Sequence, residues 1–471
     1  MQKTLKQIHK ELKDGVITIE SLVGSHKKVI LEKDKEVHAL LGMYSDSLIE
    51  SQIKKAKEMF ANGTATTLTG IPVVLKDNIL VKGESGTGGS KILENYTAVY
   101  DSTVAKKLKD AGAILIARSN MDEFAMGGST ENSAYGVTKN PHDSTRVAGG
   151  SSGGSAAVVA YGGAVISFGS DTGGSIRQPA SFCGIVGLKS TYGNVSRYGL
   201  MSMGSSLDQI GPFGNTVDDV EEAYKIISGN DVLDSTSLPN ELRDKKREDL
   251  KKVIGVPTSF VNREGIDKEV LDNFNQSIEK LKGIGYTIKE INIPNLDKAL
   301  SVYYIIMPAE VSSNLARYDG IRYGLSHPGD TSIRSYFESR TAGFGTEVRR
   351  RILLGTYVLS SGYYDAYYNK ANIVREMLKK ELSDIYATGV DVIATPTSPT
   401  PAFKIGEKSQ DPLAMYLADI FTVPANVSGL PAISIPSGKT KDGLPLGIQF
   451  MAPSMREDVL FTIGRDFEKI Y

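Results

Sequence analysis

Apolar residues recur at helical spacing near the start of the chain and gather in a short unbroken run beyond it. Leu5, Ile8 and Leu12 lie three or four positions apart, which places them on one face of a helix. Residues 71–75 are all apolar, as in a strand that is buried on both faces. The pattern therefore predicts a helical segment over residues 1–60, followed by a buried strand.

Predicted helices and strands alternate along the rest of the chain. Helical periodicity marks residues 51–60, 103–110, 152–160, 267–281 and 455–471, and a further helix is expected to start at Ser175. Short apolar runs mark strands over residues 114–117, 164–168, 252–256, 286–293, 390–395, 432–436 and 445–451. Residues 231–251 are charged and indicate a surface connection, whereas residues 297–388 are mostly helical. Alternation of this kind predicts an α/β fold.

The composition favours a globular protein with a sizeable core. The 471 residues are 40% hydrophobic, and 54 basic against 55 acidic side chains give a formal net charge of −1. This balance provides no general attraction to nucleic acid or anionic lipid. A single core usually stops growing at about 250–300 residues, so we expect a large domain with insertions or two fused lobes.

The sequence also favours a cytoplasmic protein. There is one cysteine, Cys183, so no disulfide can form within the chain. The amino-terminal residues lack the apolar segment of a secretory signal peptide. Residues 158–168 are apolar but too short to cross a bilayer, which needs about 20 residues.

Two loops rich in glycine and serine contain the residues with the clearest chemistry. Residues 149–155 read GGSSGGS and residues 169–175 read GSDTGGS. Glycine permits backbone conformations closed to other residues, and consecutive N–H groups beside Ser175 would form an oxyanion hole. With Lys76 at the end of the first buried strand, a bridging Ser151 and a nucleophilic Ser175 can perform acyl transfer without histidine.

Lys76 is a general base only if its amine is neutral, and burial favours the neutral form. The apolar residues that precede it predict such burial. The alternative is an ordinary ion pair with Asp77 or a distant carboxylate, and the local sequence alone favours that alternative. The five histidines show no recognisable Ser-His-Asp pattern.

Other chemistries have little support in the sequence. Residues 184–190 lack the adjacent Gly-Lys-Ser of a phosphate-binding loop, and residues 86–89 are not a dinucleotide fingerprint. Cys183 has no partner motif and is expected to be buried and structural. His142 and Asp143 follow a proline and predict a turn. No Cys/His group has zinc spacing, so we predict no metal site.

Three separated motifs, at Lys76, Ser151 and Ser175, resemble the Lys–Ser–Ser triad of the amidase signature family. Further runs extend the likeness over nearly the full length: residues 120–133, 195–200, 205–212, 314–320 and 419–426. The resemblance implies an α/β fold with a mixed, largely parallel central sheet sandwiched between helices.

The same resemblance implies a single domain over residues 1–471. An N-terminal helical segment, 1–60, and a mostly helical insertion at about 297–388 would belong to it.

The resemblance also implies a role for each site residue. Ser175 would attack the amide carbon, Ser151 would relay its proton, and neutral Lys76 would accept that proton. The oxyanion would be bound by the backbone N–H of Ser175 and by those of three preceding residues: Thr172, Gly173 and Gly174.

Within the family, the chain is similar to the branch that hydrolyses glutamine for tRNA-dependent amidotransferases. That likeness implies Arg351 for the α-carboxylate of glutamine and Asp419 for its α-amine, with Tyr303 nearby. Arg351 follows two other arginines, and arginines on helices are usually solvated, so a surface role for it stays open.

The likeness to this branch further implies partners. Ammonia would pass to a B subunit, which would use ATP and Mg²⁺ to convert Glu-tRNA(Gln), and by the same route Asp-tRNA(Asn), to the amidated form. A small C subunit would complete a heterotrimer. Misacylated tRNA would bind mainly through the B subunit, and we expect no cofactor in this chain and no membrane partner.

Two alternatives stay open at this point. A free-standing amidase that acts on a fatty, aryl or indole amide would share the triad. A non-catalytic scaffold subunit would retain only the fold, which the intact Lys76, Ser151 and Ser175 disfavour.

Overall fold

A large central sheet organises the chain. The structure is a computed structural model that describes residues 3–243, 249–409 and 411–471. Its strands are β1 (Leu40–Met43), β2 (Pro72–Lys76), β3 (Ile114–Ser119), β4 (Lys139–Asn140), β5 (Asp143–Val147), β6 (Ile166–Asp171), β7 (Val186–Lys189), β8 (Gln209–Gly214), β9 (Val253–Val256), β10 (Thr287–Glu290), β11 (Val392–Pro396), β12 (Ala432–Lys439) and β13 (Pro445–Met451). Within the described ranges, eleven strands form the sheet in the order β1-β3-β2-β6-β8-β7-β12-β13-β11-β9-β10, and β4 pairs with β5 separately.

Parallel and antiparallel pairs are mixed in this sheet. Strand β2 is parallel to β3 and β6, and β9 is parallel to β10 and β11. The remaining neighbours along the sheet are antiparallel. A mixed sheet is therefore confirmed, but the expectation that it is largely parallel is wrong. The short turn between β12 and β13 makes that pair antiparallel, whereas the strands of each parallel pair are joined across helices.

Helices flank the sheet and fill the remaining segments. They are α1 (Leu5–Lys13), α2 (Ile19–Val37), α3 (Asp46–Ala61), α4 (Thr103–Asp110), α5 (Gly153–Ala160), α6 (Arg177–Cys183), α7 (Val217–Ile227), α8 (Asn240–Arg243), α9 (Thr258–Val261), α10 (Lys268–Gly283), α11 (Ala299–Asn314), α12 (Ser332–Gly343), α13 (Thr346–Leu359), α14 (Lys370–Ala387), α15 (Pro412–Leu417), α16 (Val423–Ser428) and α17 (Glu457–Glu468). In the described part of the chain, none of these helices has the length and apolar character needed to cross a membrane.

Most predicted elements lie within a few residues of their expected places. Strand β13 has the bounds that the sequence predicts, and α10 and α17 differ from theirs by at most three residues at each end. Strand β1 lies inside the segment 1–60 that was expected to be helical throughout, and β7 and β8 were not predicted. Of the surface connection expected over 231–251, residues 244–248 lie outside the described residues.

The neighbouring strands β2 and β6 position the site. Because they are parallel, their carboxyl ends lie at the same edge of the sheet, where ligands bind in open α/β sheets. Strand β2 ends at Lys76, and β6 ends at Asp171, four residues before Ser175. Helix α5 begins within the first glycine-serine motif, at Gly153, and consists only of small and β-branched residues, all but its last residue buried.

Candidate active site

Lys76 Nζ lies in a pocket of hydroxyl groups. The side chain is fully buried, and Nζ is 2.7 Å from Ser151 Oγ and 2.8 Å from Ser152 Oγ. Ser170 Oγ is a third neighbour, at 3.0 Å. Burial lowers the pKa of the amine to about 7, although more distant carboxylates act in the opposite direction. The amine is therefore available in its neutral form near neutral pH.

The ion pair that the sequence left open for Lys76 is absent among the described residues. The adjacent carboxylate of Asp77 is bound instead by Arg118, at 2.7 Å. The other oxygen of Asp77 accepts the backbone N–H of Thr87, at 2.9 Å. No acidic side chain in the described ranges lies within ion-pair distance of Lys76 Nζ, so no direct counter-ion holds the amine in its charged form.

The backbone around Ser151 is held by neighbouring loops. Asp122 N–H donates to the carbonyl of Ser151 at 3.2 Å, and Gly150 N–H donates to Gln178 Oε1 at 3.0 Å. A Cβ on Gly150 would collide with the Asp122 carboxylate, so only glycine allows this approach. The peptide bond between Gly150 and Ser151 is cis. The hydrogen bonds of Asp122 and Gly150 hold Ser151 with its Oγ 2.7 Å from Lys76 Nζ.

Ser175 lies in the turn between β6 and α6. Its exposed fraction is 8%, whereas Lys76 and Ser151 are both at 0%. Ser152 N–H donates to the carbonyl of Ser175 at 3.2 Å, which joins the two glycine-serine loops. The fold thus brings the three predicted residues into one region, and Ser175 is the most exposed of the three.

A buried ion pair fixes the turn that carries Ser175. Both side chains are fully buried, and Arg177 Nη2 and Nε lie 2.9 and 3.0 Å from the carboxylate oxygens of Asp171. Burial acts to raise the pKa of Asp171, yet the charge and hydrogen bonds of Arg177 hold it well below its usual range. The same carboxylate accepts the N–H of Gly174 at 2.9 Å and of Ile176 at 3.2 Å.

One of the expected oxyanion-hole donors, the N–H of Gly174, is already hydrogen-bonded, so its prediction is corrected. Gly174 N–H is bound to Asp171, and Gly174 contributes instead its φ of +133°, a conformation that favours glycine. In the described part of the chain, the N–H groups of Thr172, Gly173 and Ser175 have no hydrogen-bond acceptor. These three groups are therefore the ones available to bind an oxyanion.

Hydrogen bonds of two threonine hydroxyls also hold this turn. Thr172 Oγ1 donates to Asp208 Oδ1 at 2.7 Å, and Thr422 Oγ1 donates to the carbonyl of Gly173 at 2.7 Å. A Cβ on Gly173 would lie 2.7 Å from the hydroxyl of Tyr303. Tyr303 therefore lies beside the turn.

Arg351 is buried, with 4% of its side chain exposed, so a solvated surface role for it is wrong. Its Nε donates to Glu347 Oε1 at 2.8 Å. Its guanidinium carbon lies 5.7 Å from the ring centre of Tyr304 and 5.6 Å from that of Tyr416. A cation held between aromatic rings and one carboxylate keeps N–H donors for a further anion.

Asp419 contacts the same aromatic group. The hydroxyl of Tyr304 lies 3.4 Å from Asp419 Oδ2, and the rings of Tyr303 and Tyr304 are 4.9 Å apart. Desolvation raises the pKa of Asp419 to about 7, against the opposing charge of Arg351. Tyr303, Arg351 and Asp419 therefore surround Tyr304, which the sequence did not single out.

A small cavity opens beside Arg351, with a volume of about 120 Å³. Ser129, Glu347 and Tyr416 also line it. Ser129 is fully buried, and its Oγ has no hydrogen-bond partner within the described residues. A buried hydroxyl without a partner, facing a cavity, is free to bind a polar group of a ligand.

Two other sequence predictions concern residues outside this site. Cys183 is buried, its Sγ donates to the carbonyl of Ala148 at 3.3 Å, and burial raises the pKa of its thiol, which confirms a structural cysteine. His142 lies in the turn between β4 and β5, as predicted. Among the described residues, no group of three or more His, Cys, Asp or Glu side chains is arranged to bind a metal ion.

Several residues of the site were not identified from the sequence. Ser152 follows Ser151 directly and Ser170 lies in the second loop, so both belonged to motifs that were recognised. Nothing local indicated that Arg177 would be fully buried or that Asp171 would be its partner. Only the fold brings these side chains together.

Known sequences are similar to this chain over nearly its whole length. A sequence model of the Amidase family matches residues 25–461. The chain is 48% identical over 470 residues to the A subunit of glutamyl-tRNA(Gln) amidotransferase from Microcystis aeruginosa, with 99% of this chain and 97% of that protein covered. It is 49% identical over 468 residues to the protein of the same name from Clostridium botulinum, with 98% and 96% covered.

Solved structures show the same architecture. The A subunit of glutamyl-tRNA(Gln) amidotransferase from Thermotoga maritima has a TM-score of 0.79 and 41% identity, and 96% of this chain and 94% of that chain are covered. A bacterial aryl acylamidase of the amidase signature family has a TM-score of 0.85 at 20% identity, with 99% and 96% covered. The second comparison shows a shared fold only.

Proposed function

The chain belongs to the amidase family, and from that premise we propose that it hydrolyses glutamine as the ammonia-supplying subunit of a tRNA-dependent amidotransferase. The observation that carries the chemistry is the buried Lys76 amine, 2.7 Å from Ser151 Oγ and without a direct counter-ion among the described residues. The names of relatives that are 48–49% identical over nearly the whole chain support the substrate.

The first half of the reaction forms an acyl-enzyme. Ser175 Oγ attacks the side-chain amide carbon of glutamine while its proton passes to Ser151 Oγ, and the Ser151 proton passes to neutral Lys76. The carbonyl oxygen becomes an oxyanion, which the N–H groups of Thr172 and Gly173, with that of Ser175, stabilise. The protonated relay then returns a proton to the nitrogen, the carbon–nitrogen bond breaks, and ammonia leaves.

The second half of the reaction repeats these steps with water. Water attacks the ester of Ser175, and the relay through Ser151 to Lys76 again removes the proton from the attacking oxygen. Collapse of the second tetrahedral intermediate gives glutamate and restores the Ser175 hydroxyl. These steps need no cofactor, since the side chains supply both the nucleophile and the base.

The charged end of glutamine would bind around Tyr304. We assign its α-carboxylate to Arg351 and its α-ammonium to Asp419, because a cation and a carboxylate in one pocket select a zwitterion. Tyr303 lies between this pocket and the turn of Ser175, so it would contact the side chain of the substrate. The hydroxyl of Ser129, which has no partner among the residues that the structure describes, would supply a further polar contact in the cavity beside Arg351.

Ammonia released here would be used by a partner. We place ATP, Mg²⁺ and most contacts with misacylated tRNA on a B subunit, with a small C subunit completing the complex. The absence of a phosphate-binding loop from the sequence agrees with this division of labour.

Reconstitution with its native partners tests this function. The expected result is glutamine-dependent, ATP-dependent amidation of Glu-tRNA, Asp-tRNA or both, with glutamate formed in step. Rapid hydrolysis of aryl or fatty amides by the chain without partners, and none of glutamine in the complex, would instead identify a free-standing amidase.

A further inference from the structure

Glu123 is a buried carboxylate that the proposed mechanism does not use. It is 2% exposed and follows Asp122, whose N–H binds the carbonyl of Ser151. Its Oε2 accepts the N–H of Gly345 at 2.8 Å, and its Oε1 accepts the hydroxyl of Ser90. A buried carboxylate that accepts two hydrogen bonds in this way is fixed in one position.

The contact with Gly345 lies at the start of helix α13. Gly345 is the N-cap residue of α13 and has no side chain with which to cap the helix. The first N–H groups of a helix lack partners within it, and a negative charge there is favourable. Glu123, which is distant in sequence, therefore binds the first of these N–H groups, that of the N-cap residue Gly345.

The surroundings of Glu123 are shaped for close approach. A Cβ on Gly345 would collide with Glu123 Oε2. Phe124 adopts a φ of +47°, a strained conformation for this residue type, and its ring packs 4.7 Å from that of Tyr318 and 5.9 Å from that of Phe344. Strain of this kind persists only where the neighbouring structure imposes it.

Helix α13 also carries the residues that face the substrate pocket. Glu347, in its first turn, pairs with Arg351 at 2.8 Å and accepts the hydroxyl of Tyr416 at 3.0 Å. Arg351 follows Glu347 by one helical turn. A displacement at the start of α13 would therefore displace the guanidinium.

We propose that Glu123 is a positioning residue for glutamine binding, which holds the start of α13 so that Arg351 meets the α-carboxylate of the substrate. The proposal rests on the proposed function, in which Arg351 binds that carboxylate. Two adjacent residues then serve the two halves of the site: Asp122 holds the backbone of Ser151, and Glu123 holds the helix of Arg351.

Steady-state kinetics of glutamine hydrolysis, measured on the full chain in its active complex, test this role. In Glu123→Ala we expect KM for glutamine to rise about tenfold or more, while kcat changes by less than about threefold because the triad is untouched. Glu123→Gln keeps an oxygen for the Gly345 N–H and is expected to retain most of the wild-type affinity.

Gly345→Ala disturbs the same contact from its other side, at a φ of −70° that alanine tolerates. It should raise KM as Glu123→Ala does. The effects of the two changes should not add in the double variant, because both act through one contact.

Glu457→Ala is the matched control. Glu457 is also 2% exposed and accepts a backbone N–H, from Thr191 at 2.8 Å, but it lies on α17. It should lower stability without changing KM.

If the wild type is active and folded Glu123→Ala has a KM within about twofold of the wild-type KM, the role of Glu123 is overturned. If that variant does not fold, an unchanged KM in Gly345→Ala has the same consequence. A wild-type complex without glutaminase activity would overturn the proposed function itself.

Discussion

Lys76 owes its proposed chemistry to burial among hydroxyl groups. Lysine in water has a pKa of about 10.4 and is protonated at neutral pH. Here burial lowers the pKa to about 7, and Ser151, Ser152 and Ser170 give the amine polar neighbours without a charge. Such an amine can accept a proton through Ser151 and return it within one catalytic cycle.

The pH dependence of kcat follows from this pKa. Protonated Lys76 cannot accept the proton from Ser151, so kcat should rise by about tenfold per pH unit below about 7 and level off above it. Glutaminase rates at saturating glutamine, measured between about pH 5.5 and 9, check this. Lys76→Arg, which stays protonated throughout, should be inactive over the whole range, and a rate that rises towards acid pH would contradict the role of Lys76 as base.

Asp419 gives a second pH dependence, this time in binding. Its pKa of about 7 means that the carboxylate is lost as the pH falls, and with it the partner of the substrate ammonium. KM for glutamine should therefore increase below about pH 7, and Asp419→Asn should raise KM about tenfold at pH 8 and abolish its pH dependence. Glutaramate lacks the α-amine and is the matched substrate, since its hydrolysis should respond little to Asp419→Asn. An equal effect on both substrates would contradict the assignment.

The sequence allowed the triad to be predicted but not its surroundings. Lys76, Ser151 and Ser175 belong to motifs that are recognisable locally. Lys76 does not pair with Asp77 because Arg118, from another strand, binds the Asp77 carboxylate. The local sequence does not show this. Arg351 is one of three consecutive arginines, and only packing against distant tyrosines shows which of them is buried.

At the scale of elements, the turn between β6 and α6 is held by the pair Asp171–Arg177. The pair is fully buried, and the Asp171 carboxylate also binds two backbone N–H groups of the turn. The conformation of the turn that carries Ser175 therefore depends on side chains that are fully buried.

Loss of the guanidinium tests this dependence. Arg177→Met leaves the Asp171 carboxylate buried without its cation, so the free energy of unfolding should fall by about 3–5 kcal/mol and kcat should fall with it. Denaturant unfolding measures the first effect. Arg465→Met removes an α17 arginine from partly exposed ion pairs with Asp218 and Glu221 on α7, and should change stability by less than about 1 kcal/mol. Equal losses in the two variants would show that the buried pair has no special part in the fold.

Elements with a strong apolar pattern were predictable, and short ones were not. Strand β13 and helix α10 have long periodic runs bounded by turn residues. Strands β7 and β8 contain glycines at positions of close approach, so their sequences lack a continuous apolar pattern. These two strands are buried by neighbouring strands of the sheet. The local sequence does not indicate that burial, because the neighbours lie elsewhere in the chain.

At the scale of the whole molecule, the sheet edge brings together segments from both ends of the chain. Lys76 comes from β2, Ser175 follows β6, and Arg351 and Asp419 come from segments far along the chain. The α/β class followed from the alternation of elements and a mixed sheet from the family resemblance, whereas the predominance of antiparallel pairs required the structure. The proposed reaction and the proposed substrate pocket thus depend on the assembled fold.

The central claim is that Ser175 attacks glutamine and that the ammonia serves a partner. Its most direct test compares the wild type and Ser175→Ala in the complex with its native partners, with amidation of misacylated tRNA supported either by glutamine or by ammonium. We predict that Ser175→Ala loses glutamine-supported amidation and retains ammonium-supported amidation. Glutamine-supported turnover that survives in Ser175→Ala would contradict the claim.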